Sequence, residues 1–231
     1  MSSTVTIDEA LDAFLEEQRE RLSARTLRRY EDVVFLLRGS LNGYAYDVLD
    51  AQEQERWRAA FDAGDEEAFT RLFGPEKIVE HLDAFLGDFM IRKVMAGEEL
   101  LRASGTVAKK LASWLAAKGY IDDQQRAEAR ERGAEAARDL PRAERLGRLL
   151  YEQMERTPPI DIDEAAAEDV VDDLLAIARV EPRALWFEGG IGPVRVPKAA
   201  SDIAQVGWRV NIVLGRLRRE WRIVELGNVY P

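Results

Sequence analysis

The stretch 208–226, WRVNIVLGRLRREWRIVEL, decides how the C-terminal part of the chain is read. Trp208, Val210, Ile212 and Leu214 alternate with Arg209 and Asn211, and a period of two puts one set of side chains on each face of a half-buried strand. A second strand is predicted over 221–226, reached by a hairpin through Gly215 to Arg219. Short strand candidates precede this pair at 177–181, 184–188 and 193–196, with a short helix over 198–205.

Three strands, a helix and two strands is the order of an OB-fold barrel. An SH3-like barrel is the near alternative, and periodicity does not separate the two. Upstream the period changes. In GEELLRASGTVAKKLASWLAAKG, residues 97–119, Leu100, Leu101, Ser104, Val107, Ala108, Leu111, Trp114 and Leu115 recur at three-then-four spacing, which lines one face of a helix. Gly119 stands where a left-handed residue ends such a helix, and Tyr120 and Ile121 can fold back as the apolar contact that accompanies it. The expected fold class is α+β: an N-terminal α-helical domain followed by a small five-stranded β-barrel.

Thr6 with Glu9 forms a capping box for a first helix, and Ser23 caps a second that carries Leu27, Tyr30, Val34 and Leu37 and should stop at Gly39. Residues 51–73 read as helix interrupted at Gly64, and Gly74-Pro75 opens another helix with Ile78, Leu82, Phe85 and Leu86 on its apolar side. The run 88–95, DFMIRKVM, has no clean period and is expected to be an irregular connection. From 122 to 139 alanine, arginine and glutamate dominate, which predicts an exposed helical spacer, with Pro141 restarting a more apolar helix at Leu146, Leu149, Leu150 and Met154. Ala129 and Ala136 offer a place where a partner helix could dock. Thr157-Pro158-Pro159 reads as a linker and 163–175 as an acidic helix burying Val170, Val171, Leu174 and Leu175. The resulting division is 1–122 helical, 123–157 polar helical connector, and 158–231 acidic helix plus barrel.

Composition removes whole classes of chemistry. The 231 residues contain no cysteine, so disulfides, thiolate nucleophiles and zinc–thiolate sites are excluded. The one histidine, His81, sits beside apolar Leu82 and Phe85 and reads as structural. The carboxylates Asp161, Asp163, Glu164, Asp169, Asp172 and Asp173 lack calcium-loop spacing and read as a solvated face. The glycine-rich 188–193 lacks the Lys-Ser/Thr ending of a phosphate loop and reads as a hairpin turn. No catalytic constellation, cofactor or metal site is expected, so the chain reads as a non-enzyme. It has neither a basic leader nor the ~18 uninterrupted apolar residues of a membrane span, which predicts a cytoplasmic protein without a membrane partner.

The net charge is −10, yet residues 179–231 carry +4 while 1–122 and 123–178 each carry −7. In the basic block Arg195, Lys198, Arg209, Arg216, Arg218, Arg219 and Arg222 interleave with Trp208 and Trp221. Cations mixed with aromatics suit phosphate contact and base stacking on DNA or RNA. The same tryptophans suit a barrel core, and the same arginines a charged sheet edge. A second expectation is that the acidic helices bind a basic protein partner.

Two segments, TIDEALDAFLEEQRERLSARTLRRYEDVVFLL at 6–37 and ASGTVAKKLASWLAAKGYI at 103–121, carry a family resemblance. Residues 5–122 resemble the N-terminal core-binding domain of tyrosine recombinases, the SAM-like helical domain of phage integrases. The resemblance implies DNA contact through Thr26, Arg28 and Arg29 on one helix and Ser104, Thr106, Lys109 and Lys110 on another. The catalytic half of such enzymes has no counterpart here, since no histidine follows His81 and Tyr230 lacks the cationic cage that would activate it. What the resemblance implies is an accessory relative, not a recombinase.

Overall fold

The computed structural model describes residues 5–157, 170–218 and 220–231. It divides into two compact units, Met1–Arg138 and Asp139–Pro231.

The first unit is helical. Helix α1 (Ile7–Arg19) starts at the expected capping box, with the Glu9 amide donating to the Thr6 hydroxyl at 3.2 Å and the Thr6 amide donating to the Glu9 carboxylate at 2.9 Å. Helix α2 (Ala24–Tyr44) is capped by Ser23 but does not stop at Gly39. The reason lies downstream: Ser40, Leu41 and Ala45 are buried, so packing carries the helix past a residue of low propensity. Helices α3 (Ala51–Asp62) and α4 (Ala68–Leu72) are separated at Gly64, whose φ is +94°.

Next come α5 (Glu76–Glu80), α6 (Leu82–Ala84) and α7 (Met90–Arg92). A π-helical turn over Phe85–Phe89 joins the last two, so most of the run expected to be irregular is helical. The extra residue of that turn explains why no 3.6-residue period is visible.

Helix α8 (Glu98–Ala117) is the central element, burying Leu101, Ser104, Val107, Leu111 and Leu115 on one face. It ends as its sequence requires: Gly119 has φ +77°, the Tyr120 amide donates to the Leu115 carbonyl at 3.0 Å, and Ile121 is buried. Its last turn is tied to α1, where Glu17 accepts from the Trp114 indole at 2.9 Å and from Lys118 at 2.6 Å. Those two donors, Lys118 first, hold the Glu17 carboxyl below its ordinary pKa.

Helix α9 (Asp123–Glu155) runs unbroken through Pro141, where a restart is expected from the sequence. Proline removes one backbone hydrogen bond, but burial of Leu140 and Ala143 beside it holds the helix. The part before residue 139 is no bare spacer. Ala129 and Ala136 are buried, and Gly133 meets Gly105 of α8 so closely that a Cβ on Gly105 would lie 2.4 Å from the Gly133 carbonyl oxygen and 2.3 Å from the Ala137 nitrogen. Small residues let these two backbones touch.

The second unit begins with Asp139–Glu155 of α9, followed by strands β1 (Val170–Glu181), β2 (Ala184–Phe187), β3 (Ile191–Arg195), β4 (Arg209–Leu217) and β5 (Glu220–Tyr230). Helix α10 (Lys198–Ile203) lies between β3 and β4. The strands close into a barrel in the order β1-β2-β3-β5-β4, with β3 and β5 parallel and β1 pairing with both β2 and β4. This order, with the helix after the third strand, is the OB-type arrangement and decides between the two barrels that periodicity leaves open.

Residues Val170 to Leu175, expected in an acidic helix, are strand. Their spacing fits either period, but β4 offers a continuous pairing edge from Arg209 to Gly215, and backbone hydrogen bonding to it settles the conformation. Residues 158–169, which hold the expected linker prolines and Asp161, Asp163, Glu164 and Asp169, lie outside the described residues, while Asp172 and Asp173 fall in β1. The core joins Leu175, Ile177, Phe187, Val210, Ile212 and Leu214 to Leu146 and Leu150 of α9. No helix among the described residues is long and apolar enough to cross a membrane.

Candidate nucleic-acid interface

Three connections meet at one end of the barrel. The Val196 amide donates to the Arg183 carbonyl at 3.0 Å, which fixes the β1–β2 turn against the end of β3. Arg195, at that end, pairs across to Glu220 at 3.2 Å. Glu220 is the first residue of β5, opposite Leu217 in the β4–β5 hairpin. Arg183, Arg195, Arg218 and Arg222 are therefore brought to this end of the barrel by three separate stretches of chain.

The turn geometry singles out two of them. Arg183 and Arg218 are the non-glycine residues with positive φ among the described residues, at 65° and 50°. A left-handed position at a hairpin tip favours glycine or asparagine, and any other L-residue there costs about 1–2 kcal/mol. In both turns that position carries a cation.

Carboxylates partly offset this patch. Glu220 serves both Arg195 and Arg222, at 3.2 and 3.7 Å, and Arg216 lies over the Trp221 ring at 5.4 Å. Arg218 makes no hydrogen bond or ion pair among the described residues. A groove of about 280 Å³ opens beside the patch, lined by Met154, Arg156, Arg195, Trp221 and Arg222.

Not every expected residue joins the patch. Arg209 begins β4 and donates to the Leu174 carbonyl at 3.4 Å, about 25 Å of strand away from the hairpin. Lys198 is paired with Asp202 at 2.7 Å. Arg219 lies outside the described residues. Trp208 is buried at 6% exposure under Arg142, a core residue and not a stacking platform, while Trp221 is half-buried against the same core.

The sequence reading missed Arg183 and Trp186. Trp186 stands between inward-facing Leu185 and Phe187, and alternation on β2 alone places it outside. There Arg179 lies 4.2 Å from its ring centroid and Glu181 accepts from its indole nitrogen at 3.2 Å.

In the helical unit, the two segments quoted for the recombinase resemblance meet. Thr26 and Arg29 of α2 and Thr106 of α8 line a groove of about 340 Å³ together with Arg25 and Arg102. Local bonding already occupies several of these groups: the Thr26 hydroxyl lies 3.0 Å from that of Ser23, Thr106 donates to the Arg102 carbonyl at 3.0 Å, and Arg29 pairs with Glu99. Ser104 is fully buried and donates to the Leu101 carbonyl at 2.8 Å, so it packs and faces no ligand. Lys109 packs its stem on Gly133, whereas Arg28 and Lys110 are exposed.

No protein family, curated protein or solved structure matches the chain.

Proposed function

We propose that the chain is a non-enzymatic, nucleic-acid-associated accessory protein that holds a single strand at the arginine-bearing end of its barrel. The observation that carries this reading is the convergence of Arg183, Arg195, Arg218 and Arg222 on an otherwise acidic protein, two of them held at left-handed turn positions. Guanidinium groups meet phosphates bidentately and stack on bases, so one residue type supplies both interactions. The groove between α2 and α8 supports a weaker second contact through Arg25 and Arg102, in line with the resemblance to core-binding domains.

Binding of the full chain to single- and double-stranded DNA and RNA, measured across a salt series, tests the reading. Single strands should bind more tightly than duplex. Replacing Arg195, Arg218 and Arg222 with Ala should weaken binding and flatten the logarithmic salt slope by about 0.7 for each arginine that meets a phosphate. No binding at low salt, or an unchanged slope in the triple variant, overturns it.

A further inference from the structure

Helix α3 buries none of its residues, although it carries Trp57 and Phe61. Their rings stack at 5.3 Å and 27°, and Tyr46, from the turn before α3, stacks with Trp57 at 5.9 Å and 20°. Tyr46 and Phe61 are 52% and 45% exposed. The three rings make a ladder at the surface of the helical unit, Trp57 half-buried between the two exposed rings, and exposed aromatic rings in contact with one another are candidates for an interaction site.

The charge around the ladder specifies its occupant. Residues 44–67 hold eight carboxylates and two arginines. Some of the carboxylates are engaged: Asp50 and Glu53 form the cap of α3, and Asp65 and Glu67 pair with Arg71. Asp47, Glu55, Asp62 and Glu66 have no ion pair among the described residues. Asp47 follows Tyr46 and Asp62 follows Phe61 in the chain, so the stretch that carries the ladder has a carboxylate next in sequence to each of its two end rings. Of the two arginines, Arg56 donates to the Leu72 carbonyl and lies over Phe73.

We propose that the Tyr46–Trp57–Phe61 ladder docks an arginine-bearing basic segment of a partner protein. A guanidinium plane stacks on an aromatic face while its edge donates to a carboxylate, and the stretch that carries the ladder supplies both kinds of group. Phosphate would be repelled by the same carboxylates, which excludes a nucleic acid here. A second copy of the chain would bring like charges together across a self-complementary contact.

The test titrates the full chain with an arginine–glycine repeat peptide and with its lysine and citrulline counterparts. The arginine peptide should bind, the lysine peptide more weakly, and the uncharged citrulline peptide not at all. Phe61→Ala and Asp62→Asn should each weaken arginine-peptide binding roughly tenfold. Glu144→Gln, an equal charge change in the other unit, should leave it unaltered. Tyr46→Ala serves as a second truncation, and unfolding curves check that each variant is folded. An equal loss in Glu144→Gln would reveal general charge attraction and overturn the proposal. So would undiminished binding by Phe61→Ala, or self-association of the chain that Phe61→Ala abolishes.

Discussion

In the helical unit Arg38 reaches Asp8 and Asp12, Arg71 reaches Asp65 and Glu67, and Lys77 sits between Glu53 and Glu80. At the end of the barrel a single carboxylate, Glu220, serves both Arg195 and Arg222. The difference follows from the charge of each stretch. Where acids are in excess, cations become struts between elements. Lys77 is an example: burial disfavours its ammonium, yet the hydrogen bonds it donates to Glu53 and Glu80 raise its pKa above the ordinary value. Where arginines are in excess, a residue such as Arg218 makes no ion pair among the described residues. Both units bury large side chains, Phe14, Phe69 and Phe85 in the first and Phe187 in the second, but within the helical unit α8 and α9 meet through glycine backbones.

The contrast between interiors predicts the largest effects. Leu146 is fully buried in the barrel core, so Leu146→Ala should destabilise the protein by about 2–5 kcal/mol, read from urea unfolding monitored by tryptophan fluorescence. Gly105→Ala should cost about 1–3 kcal/mol, because its Cβ would fall 2.3 Å from backbone and the helices would have to part. A helix-interior Gly→Ala normally stabilises, so an increase in unfolding midpoint for Gly105→Ala would break the account of that crossing.

A third effect belongs to the helical unit alone. His81 is 1% exposed, its Nε2 lies 2.8 Å from the Ser40 hydroxyl, and its Nδ1 has no partner among the described residues. Burial lowers its pKa below the ordinary 6.5, with Asp47 opposing weakly. The neutral ring is thus the form that the fold accepts. Its contribution to stability is complete above pH 6.5 and falls as pH drops toward the lowered folded value, because only the unfolded chain takes up the proton. Unfolding midpoints at pH 7.5 and 5.5 should show this loss, and His81→Asn should remove most of the difference.

The smallest effect sharpens the contrast in arginines. Arg218→Gly relieves a left-handed position and should raise stability by up to about 1 kcal/mol while weakening nucleic-acid binding. A variant that gains stability and binds unchanged would show that Arg218 serves neither end.

Much of this molecule is legible in its residues where the cause is local. The Thr6–Glu9 box, the Ser23 cap and the Gly119 ending need only a few neighbouring backbone groups, and all three are found. Alternation from Arg209 to Ile212 is legible for the same reason, because over that stretch one face of β4 meets the core. The arginine patch is legible only in part. Arg195, Arg216, Arg218 and Arg222 stand out by composition, but Arg183 sits alone in its turn and joins them through pairing of distant strands.

The amino-acid sequence by itself determined the helix caps, the change of period from helix to strand, the absence of thiol chemistry and the basic C-terminal block on an acidic chain. Each depends on residue type or on contacts within about one helical turn. Only the tertiary structure decided that Val170 to Leu175 are strand, that α9 passes through Pro141, that the barrel closes in OB order, and that Tyr46 stacks with Trp57 and Phe61. In each case two conformations satisfy the local pattern, and hydrogen bonding or burial against residues far along the chain selects between them.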